Sequence, residues 1–376
     1  MLWVLSDEFQ QTLAIPRGAK PAAAQPDDLA CYLVVIEGGK PGRRLLIEAE
    51  PREIGRDAAR DLVLDDGQVS RLHFKVRVER GHVVVEDWQS TNGTFVNGKR
   101  LSAPRNLPEG GVIQVGHHVL KLERRSRQEV AEREALDRDL EKASGYVRSL
   151  LPEPIADGPV CTDWFLQPST KLGGDAFGYQ QIDADNFACY LMDVCGHGAG
   201  AAMHSVAVLN VLRTRALGVD LHDPAAVLAA LNNMFQMDQH GGMYFTMWFG
   251  VYNLPTRTIR YSSAGHHPAY LVAADRSGLV PLCTRGLMVG AVPDAPYQTA
   301  ETQVPTGACL YLFSDGVFEI VTSQGKQWRL EDLLPTLLAA PVPDESDARR
   351  IYQAVTAVAR PGPLDDDFST LSVTFS

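Results

Sequence analysis

Between residues 32 and 122, apolar residues come in short runs at 32–36, 45–47, 74–78, 83–85, 94–96, 112–115 and 119–122. Gly38-Gly39, Asp66-Gly67, Asn92-Gly93, Asn97-Gly98 and Gly110-Gly111 punctuate them. Short β-prone runs closed by turn residues predict an antiparallel sandwich. The pattern changes at 124, where Glu and Arg dominate a proline-free stretch. Within it Leu136, Leu140, Ala143, Val147 and Leu150 recur at steps of 4, 3, 4 and 3, a heptad seam that Pro152 and Pro154 end. Only about two heptads are present, so a lone amphipathic helix and a dimeric coiled coil both remain open.

Beyond 155 the pattern alternates between strand and helix. The runs 187–192 and 310–313 read as buried strands, each delivering an aspartate at its end, Asp193 and Asp315. Residues 200–216 and 224–235 read as helices, the second with Asp223 as N-cap and Pro224 at its first position. A hairpin is expected at 245–252 and 258–263, late helices at 330–339 and 347–359, and a last strand at 368–375. Neighbouring strands with paired helices favour α+β layers over a parallel alternation. The resulting division is a tail and linker at 1–29, where 15–28 is rich in Pro and Ala, a β-domain at 30–123, a linking helix at 124–151 and an α+β domain at 152–376.

Composition narrows the function classes. The 376 residues are 45% hydrophobic and 22% charged, as in a folded protein, and no apolar run approaches the roughly 20 residues of a membrane span. The N-terminus lacks a basic leader and meets Asp7 and Glu8 early, so no secretory signal is expected. Six cysteines without a CxxC pair suit a reducing cytoplasm better than a disulfide frame or zinc ribbon. Net charge is +1 over 30–123 and over 124–149 but −11 over 150–376. An acidic C-terminal part disfavours nucleic acid as a partner and favours cations.

Three segments of the β-domain carry groups suited to a phosphate: Gly55-Arg56, Ser70-Arg71-Leu72-His73, and the run from Ser90 through Gly98. A phosphorylated peptide needs guanidinium charge, hydroxyl and amide donors, and tight turns to present them. Arg56, Ser70, Arg71, Thr91 and Asn92 supply that set, although each alone reads as an ordinary turn residue. In this order and spacing they resemble the forkhead-associated (FHA) family. The resemblance implies an eleven-stranded β-sandwich that binds phosphothreonine peptides, with Arg56, Ser70 and Arg71 on the phosphate, Asn92 on the peptide backbone and Thr91 as a weaker contact. It assigns His73 to bracing the binding loops.

Four aspartates stand beside glycines or at strand ends: Asp175 in Gly173-Gly174-Asp175, Asp193 before Val194-Cys195-Gly196-His197-Gly198, Asp315 in Ser314-Asp315-Gly316, and Asp366 within Asp365-Asp366-Asp367. If they converge, their repulsion calls for cations, and oxygen ligands without a His/Cys set select Mg²⁺ or Mn²⁺. With Phe245-Thr246-Met247, Ser263-Ala264-Gly265-His266 and the run 314–319, this set resembles the SpoIIE/RsbU branch of the PPM metal-dependent protein phosphatases. That resemblance implies an αββα sandwich and two Mn²⁺ or Mg²⁺ ions held by Asp175, Asp193, the Val194 carbonyl, Asp315 and Asp366. The register of the last ligand stays open among Asp365, Asp366 and Asp367. Gly178 stands where the family often has an acid, and no arginine near Asp175 is an obvious phosphate holder. His197 reads as a loop brace rather than a general acid, and His266-His267 before Pro268 as a turn.

The fold expected is therefore multidomain: an all-β FHA sandwich, a linking helix and an α+β αββα-sandwich phosphatase domain. The function implied is a cytoplasmic phosphoserine/phosphothreonine protein phosphatase acting on a signalling protein, by resemblance a STAS-type regulator, under control of a phosphothreonine ligand at the FHA domain. The rival is a phosphothreonine-binding scaffold with a catalytically silent phosphatase-like half. A third reading keeps the enzyme but has the FHA part bind an unphosphorylated surface or its own helix.

Overall fold

The computed structural model describes residues 29–342 and 345–376; the expected tail at 1–29 lies outside them except for Leu29. The chain divides near Asp137 into two compact units. In the first, two sheets of six and five strands make eleven strands among the described residues. One runs in the order Arg44–Ile47, Leu29–Glu37, His118–Ser126, Val112–Val115, Phe95–Val96, Lys99–Arg100; the other runs Leu62–Val63, Arg52–Gly55, Phe74–Glu79, His82–Asp87, Arg105–Leu107. Leu33, Ile54, Phe74, Val76, Val85, Ile113 and Leu120 bury the facing sides completely or nearly so. The pairing Leu29↔Ser126 carries the last strand to residue 126, so the helix starts at Arg127 rather than 124.

That helix, Arg127–Ser149, buries no residue fully. Leu136 is 59% exposed, and Leu140, Ala143 and Val147 are half-buried, so the heptad seam is partly uncovered in the single chain. In the second unit two five-stranded sheets lie in the orders Val160–Gln167, Phe368–Phe375, Cys309–Phe313, Ala269–Val272, Leu279–Leu282 and Ala176–Gln181, Asn186–Val194, Phe245–Asn253, Thr258–Ala264, Ala300–Gln303. Leu310, Leu312, Leu371 and Phe375 from one share a core with Phe177, Tyr190, Trp248 and Phe249 from the other. The helices Ala199–Arg213 and Pro224–Met234 cover the second sheet, and Leu330–Leu338 and Asp347–Val358 cover the first. This is the expected αββα sandwich. Every ladder within it is antiparallel, as side-by-side strands in the sequence suggested.

Local rules account for the helix ends: the Asp223 carboxylate accepts from the Ala225 amide, with Pro224 first in the helix. Gly178 is also explained, because a Cβ there would sit 2.4 Å from the hydroxyl of the buried Tyr190. An acidic side chain at that position would collide with the core. All six cysteines are free.

Upstream of the Asp223 cap, His222 bridges Asp220 and Asp183, which ties the 183–186 turn to this helix. The hydrogen bonds to Asp220 and then to Asp183 raise its pKa above the ordinary 6.5. A raised histidine stabilises the fold fully below its unfolded pKa and loses that contribution as pH rises through the folded value. His222→Ala should therefore cost roughly 0.5–1 kcal/mol at about pH 6 and almost nothing at about pH 9, the range being that of solvent-exposed ion pairs. Urea unfolding of both proteins at the two pH values measures it, and a gap that widens with pH contradicts the assignment.

Candidate functional site

In the second unit, strand pairing assembles the acids. Asp175 directly precedes strand Ala176–Gln181, which pairs with Asn186–Val194 through Ala176↔Met192, so Asp175 and Asp193 sit at one end of that sheet. In the facing sheet Phe313 pairs with Thr370, and Ser314 and Ser369 exchange hydrogen bonds of 3.0 Å. That brings Asp315 beside the 365–367 acids. The Ser369 hydroxyl then donates to Asp175 at 2.7 Å, fastening one sheet's ligand loop to the other. Glycines permit the close approach. A Cβ on Gly174 would lie 2.6 Å from the Val194 carbonyl oxygen, and one on Gly316 would lie 2.2 Å from the Asp367 carbonyl oxygen.

The acids feel one another. Burial, followed by the charges of Asp193 and Asp367, pushes the Asp175 carboxyl well above its usual range. Asp193 is raised to about 7 by burial and by Asp315, Asp366 and Asp367. Asp315 is raised to about 6 by burial, Asp366 and Glu319. All four expected acids thus fall within one electrostatic neighbourhood. Among the described residues, however, no three His, Cys, Asp or Glu side chains close into a ready-made metal shell. The donor chemistry fits a hard cation: oxygens only, with repulsion that a positive ion relieves.

The three consecutive aspartates have different surroundings. Asp367 is 3% exposed and accepts from the Ser169 amide, the Ser169 hydroxyl and the Gly174 amide at 2.7–2.8 Å. Asp365 pairs with Arg360. Asp366 is exposed, and among the described residues its one hydrogen bond is accepted from the neighbouring Asp367 amide. Asp367 therefore braces the loop that carries Asp175, and Asp366 is the one with lone pairs to spare. Sequence reasoning missed the Asp367 and Ser369 braces, because their partners lie nearly 200 residues away.

Histidines diverge from expectation in one case. His197, flanked by the left-handed Gly196 and Gly198, is exposed and forms no hydrogen bond among the described residues, so it braces nothing. The rings of His266 and His267 lie tilted against each other, 4.2 Å apart, in the interior, where burial lowers His266 to about 4 and His267 further; both are neutral. The C-terminal part of the linking helix also reaches the Asp175 loop. Glu141 pairs with Lys171, and Ser144, Val147 and Arg148 line a cavity of about 30 Å³ with Leu172, Gly173 and Asp175.

In the first unit, His73 is fully buried and burial keeps it neutral. The Ser70 amide donates to its Nδ1, so Nε2 carries the proton and donates to the Gly93 carbonyl at 3.2 Å. One ring thus joins the two loops, as expected. The Thr91 amide donates to the Ser70 hydroxyl, and the Asn92 side chain donates to the Gln68 carbonyl. Gly55 is required because a Cβ would come within 2.2 Å of the Arg71 carbonyl oxygen. Arg56, Arg71, Thr91 and Asn92 are exposed on this face, and neither guanidinium is in an ion pair among the described residues. The five expected residues lie on three loops of one sandwich.

A family model described as stage II sporulation protein E (SpoIIE) matches residues 183–376, more than half of the chain. The chain belongs to the SpoIIE family. An FHA-domain model matches residues 52–116 of this SpoIIE-family chain. FHA domain-containing protein FhaB of Mycobacterium tuberculosis is 33% identical over 106 residues, covering 28% of the chain and 68% of that protein. The phosphoserine phosphatase RsbP of Bacillus subtilis is 30% identical over 191 residues, 50% of the chain and 46% of RsbP. The chain thus spans under half the length of that relative. Among solved structures, the SiaA-PP2C domain of Pseudomonas aeruginosa superposes with a TM-score of 0.57 at 19% identity, covering 65% of the chain and 99% of that domain. At that identity the likeness carries the fold, an αββα PPM-type sandwich, and nothing more. Among the described residues no helix is long and apolar enough to cross a membrane.

The contrast between adjacent aspartates is testable without metal. Asp367→Ala leaves two amides without their carboxylate and should destabilise by roughly 3 kcal/mol or more. Asp366→Ala should stay within about 0.5 kcal/mol, as for exposed positions. Urea unfolding in the presence of a chelator measures both, and a larger cost at Asp366 reverses the two roles.

Proposed function

We propose that this SpoIIE-family chain is a divalent-metal-dependent phosphoprotein phosphatase whose FHA domain binds a phosphothreonine peptide. The observation that carries the reading is the convergence of Asp175, Asp193, Asp315 and Asp366 at one end of two facing sheets, where burial and neighbouring acids raise the pKa values of Asp175, Asp193 and Asp315. RsbP and RsbU, both named phosphoserine phosphatases, support the same reaction. Asp175, Asp193, Asp315, Asp366 and the Val194 carbonyl would hold two Mn²⁺ or Mg²⁺ ions. Bound there, such ions supply charge neutralisation, water activation and polarisation of the phosphoryl group.

The protein's own part is preorganisation. Ser369 and Asp367 fix the Asp175 loop, and Gly174 and Gly316 let the carrying backbones meet. Burial keeps Asp175 out of bulk water, and charges interact more strongly in such a low-dielectric setting than in water. No serine or cysteine nucleophile is required. The substrate in this reading is a phosphoserine or phosphothreonine protein in the cytoplasm, in the family's manner a STAS-type regulator.

At the FHA domain, Arg56, Ser70 and Arg71 hold the phosphate, Asn92 the peptide backbone and Thr91 the edge of the site. Docking there adds charge-assisted bonds. The helix Arg127–Ser149 relays the event, and its Glu141–Lys171 pair gives it purchase on the Asp175 loop. Pairing of two chains along the half-covered heptad seam is the accompanying oligomeric proposal. The scaffold alternative rests on one observation, the lack of a closed ligand shell among the described residues.

Manganese-dependent release of phosphate from a phosphoprotein decides between the two. Asp193→Asn and Asp315→Asn should each lower it by roughly a thousandfold, the several kcal/mol that a bound ion contributes. Full activity in both variants would end the enzyme reading, and absence of manganese binding by calorimetry would establish the scaffold. For the FHA domain, Arg56→Ala should weaken a phosphothreonine peptide by roughly 10- to 100-fold, as loss of one charge-assisted contact predicts. Unchanged affinity there would point to the unphosphorylated-surface reading instead.

A further inference from the structure

A cleft of about 430 Å³ is walled by Ser169 and Thr170, by His197, and by the loop from Arg360 to Asp365. Each wall is the flank of a segment that carries one of the acids. Ser169 and Thr170 precede Gly173-Gly174-Asp175, His197 follows Asp193 by four residues, and Asp365 adjoins Asp366. The cleft therefore opens beside the acidic cluster. A phosphate dianion entering it meets Asp365, Asp366 and the acids beyond, and needs a positive group of the protein's own to balance them.

Arg360 is the sole lysine or arginine lining this cleft among the described residues. Its backbone is anchored, since the Arg360 amide donates to the Val321 carbonyl and Ala359 bridges to Thr322. Its side chain is 54% exposed and held by Asp365 through Nη2 alone, so that Nη1 and Nε have no partner among the described residues. The neighbouring hydroxyls are not available as donors. Ser169 donates inward to Asp367, and Thr170 donates to the Leu172 carbonyl. Among the described residues, the side-chain donors left to the cleft are the guanidinium and the His197 ring.

We infer that Arg360 binds the phosphoryl oxygens of the substrate, and of the phosphate released from it, with Asp365 as the positioning residue that presents the guanidinium to the cleft. The inference rests on the phosphatase reading above and supplies what a search near Asp175 in the sequence did not find. Arginine suits the task because its planar fork meets two phosphate oxygens at once, whereas a lysine offers a single point charge. Asp365 occupies one corner of the fork, so the remaining edge faces the incoming anion.

The experiment uses the full chain with manganese, inorganic phosphate as inhibitor and binding probe, and p-nitrophenyl phosphate as substrate. Arg360→Ala should raise both the inhibition constant for phosphate and the KM by about tenfold or more, the scale of one charge-assisted contact. Arg360→Lys should fall between it and the native protein, and Asp365→Asn should shift both constants in the same direction by less. Manganese affinity and melting temperature should match the native protein in all three. Calorimetric phosphate binding to the manganese-loaded chain reports on Arg360 independently of turnover. Native turnover with unchanged constants in Arg360→Ala overturns this inference and leaves the phosphatase reading standing. Absence of native turnover overturns that reading, while a loss of phosphate binding in Arg360→Ala still supports the site. A fall in manganese affinity or melting temperature that accounts for the whole effect assigns Arg360 to structure and overturns the inference.

Discussion

Carboxylates taken out of water and set side by side repel one another, and the C-terminal unit of this chain is organised around that repulsion. Asp175 is almost fully enclosed, Asp193 and Asp315 are partly so, and burial together with neighbouring carboxylates raises the proton affinity of all three. In a protein without a cation such an arrangement is a cost, because an unpaired buried charge neutralises itself or destabilises the fold. A divalent ion reverses the sign of the interaction. The chain's other features at this end of the sandwich make sense as devices for holding the acids in place until that happens.

Those devices are mostly backbone approaches and neutral hydrogen bonds. Asp367 looks from its neighbours like another ligand, yet its oxygens are taken up by Ser169 and Gly174. It fixes the Asp175 loop, and Ser369 then joins Asp175 to the opposite sheet. Glycines 174 and 316 stand where any side chain would meet a carbonyl oxygen. The C-terminal part of the linking helix touches the same loop through the pair of Glu141 with Lys171.

The FHA domain solves the opposite electrostatic problem. There the exposed groups are positive and the bracing is buried and neutral. His73 cannot both accept from Ser70 and donate to Gly93 if protonated, and burial keeps it in the neutral tautomer that does. The loops that carry Ser70 and Gly93 are thus held from beneath, while Arg56 and Arg71 are exposed and in no ion pair among the described residues.

What the sequence determined by itself is everything whose cause is local. Alternation and turn residues placed most of the FHA strands, the Asp223-Pro224 pair placed a helix start, and the buried runs ending in Asp193 and Asp315 placed two acids at strand ends. The two-residue strands Leu62–Val63 and Lys99–Arg100, and the polar strand Ala300–Gln303, carry no periodic signal and exist because a neighbouring strand completes their hydrogen bonds. Spacing within Asp365-Asp366-Asp367 could not tell brace from ligand, because the amides that claim Asp367 lie at 169 and 174, far off in the chain. The same holds for Arg360, whose place beside the acids depends on strands pairing across the sandwich. Residue chemistry is written locally, but which oxygen is satisfied and which is left free depends on partners that only the folded sheets bring within hydrogen-bonding distance.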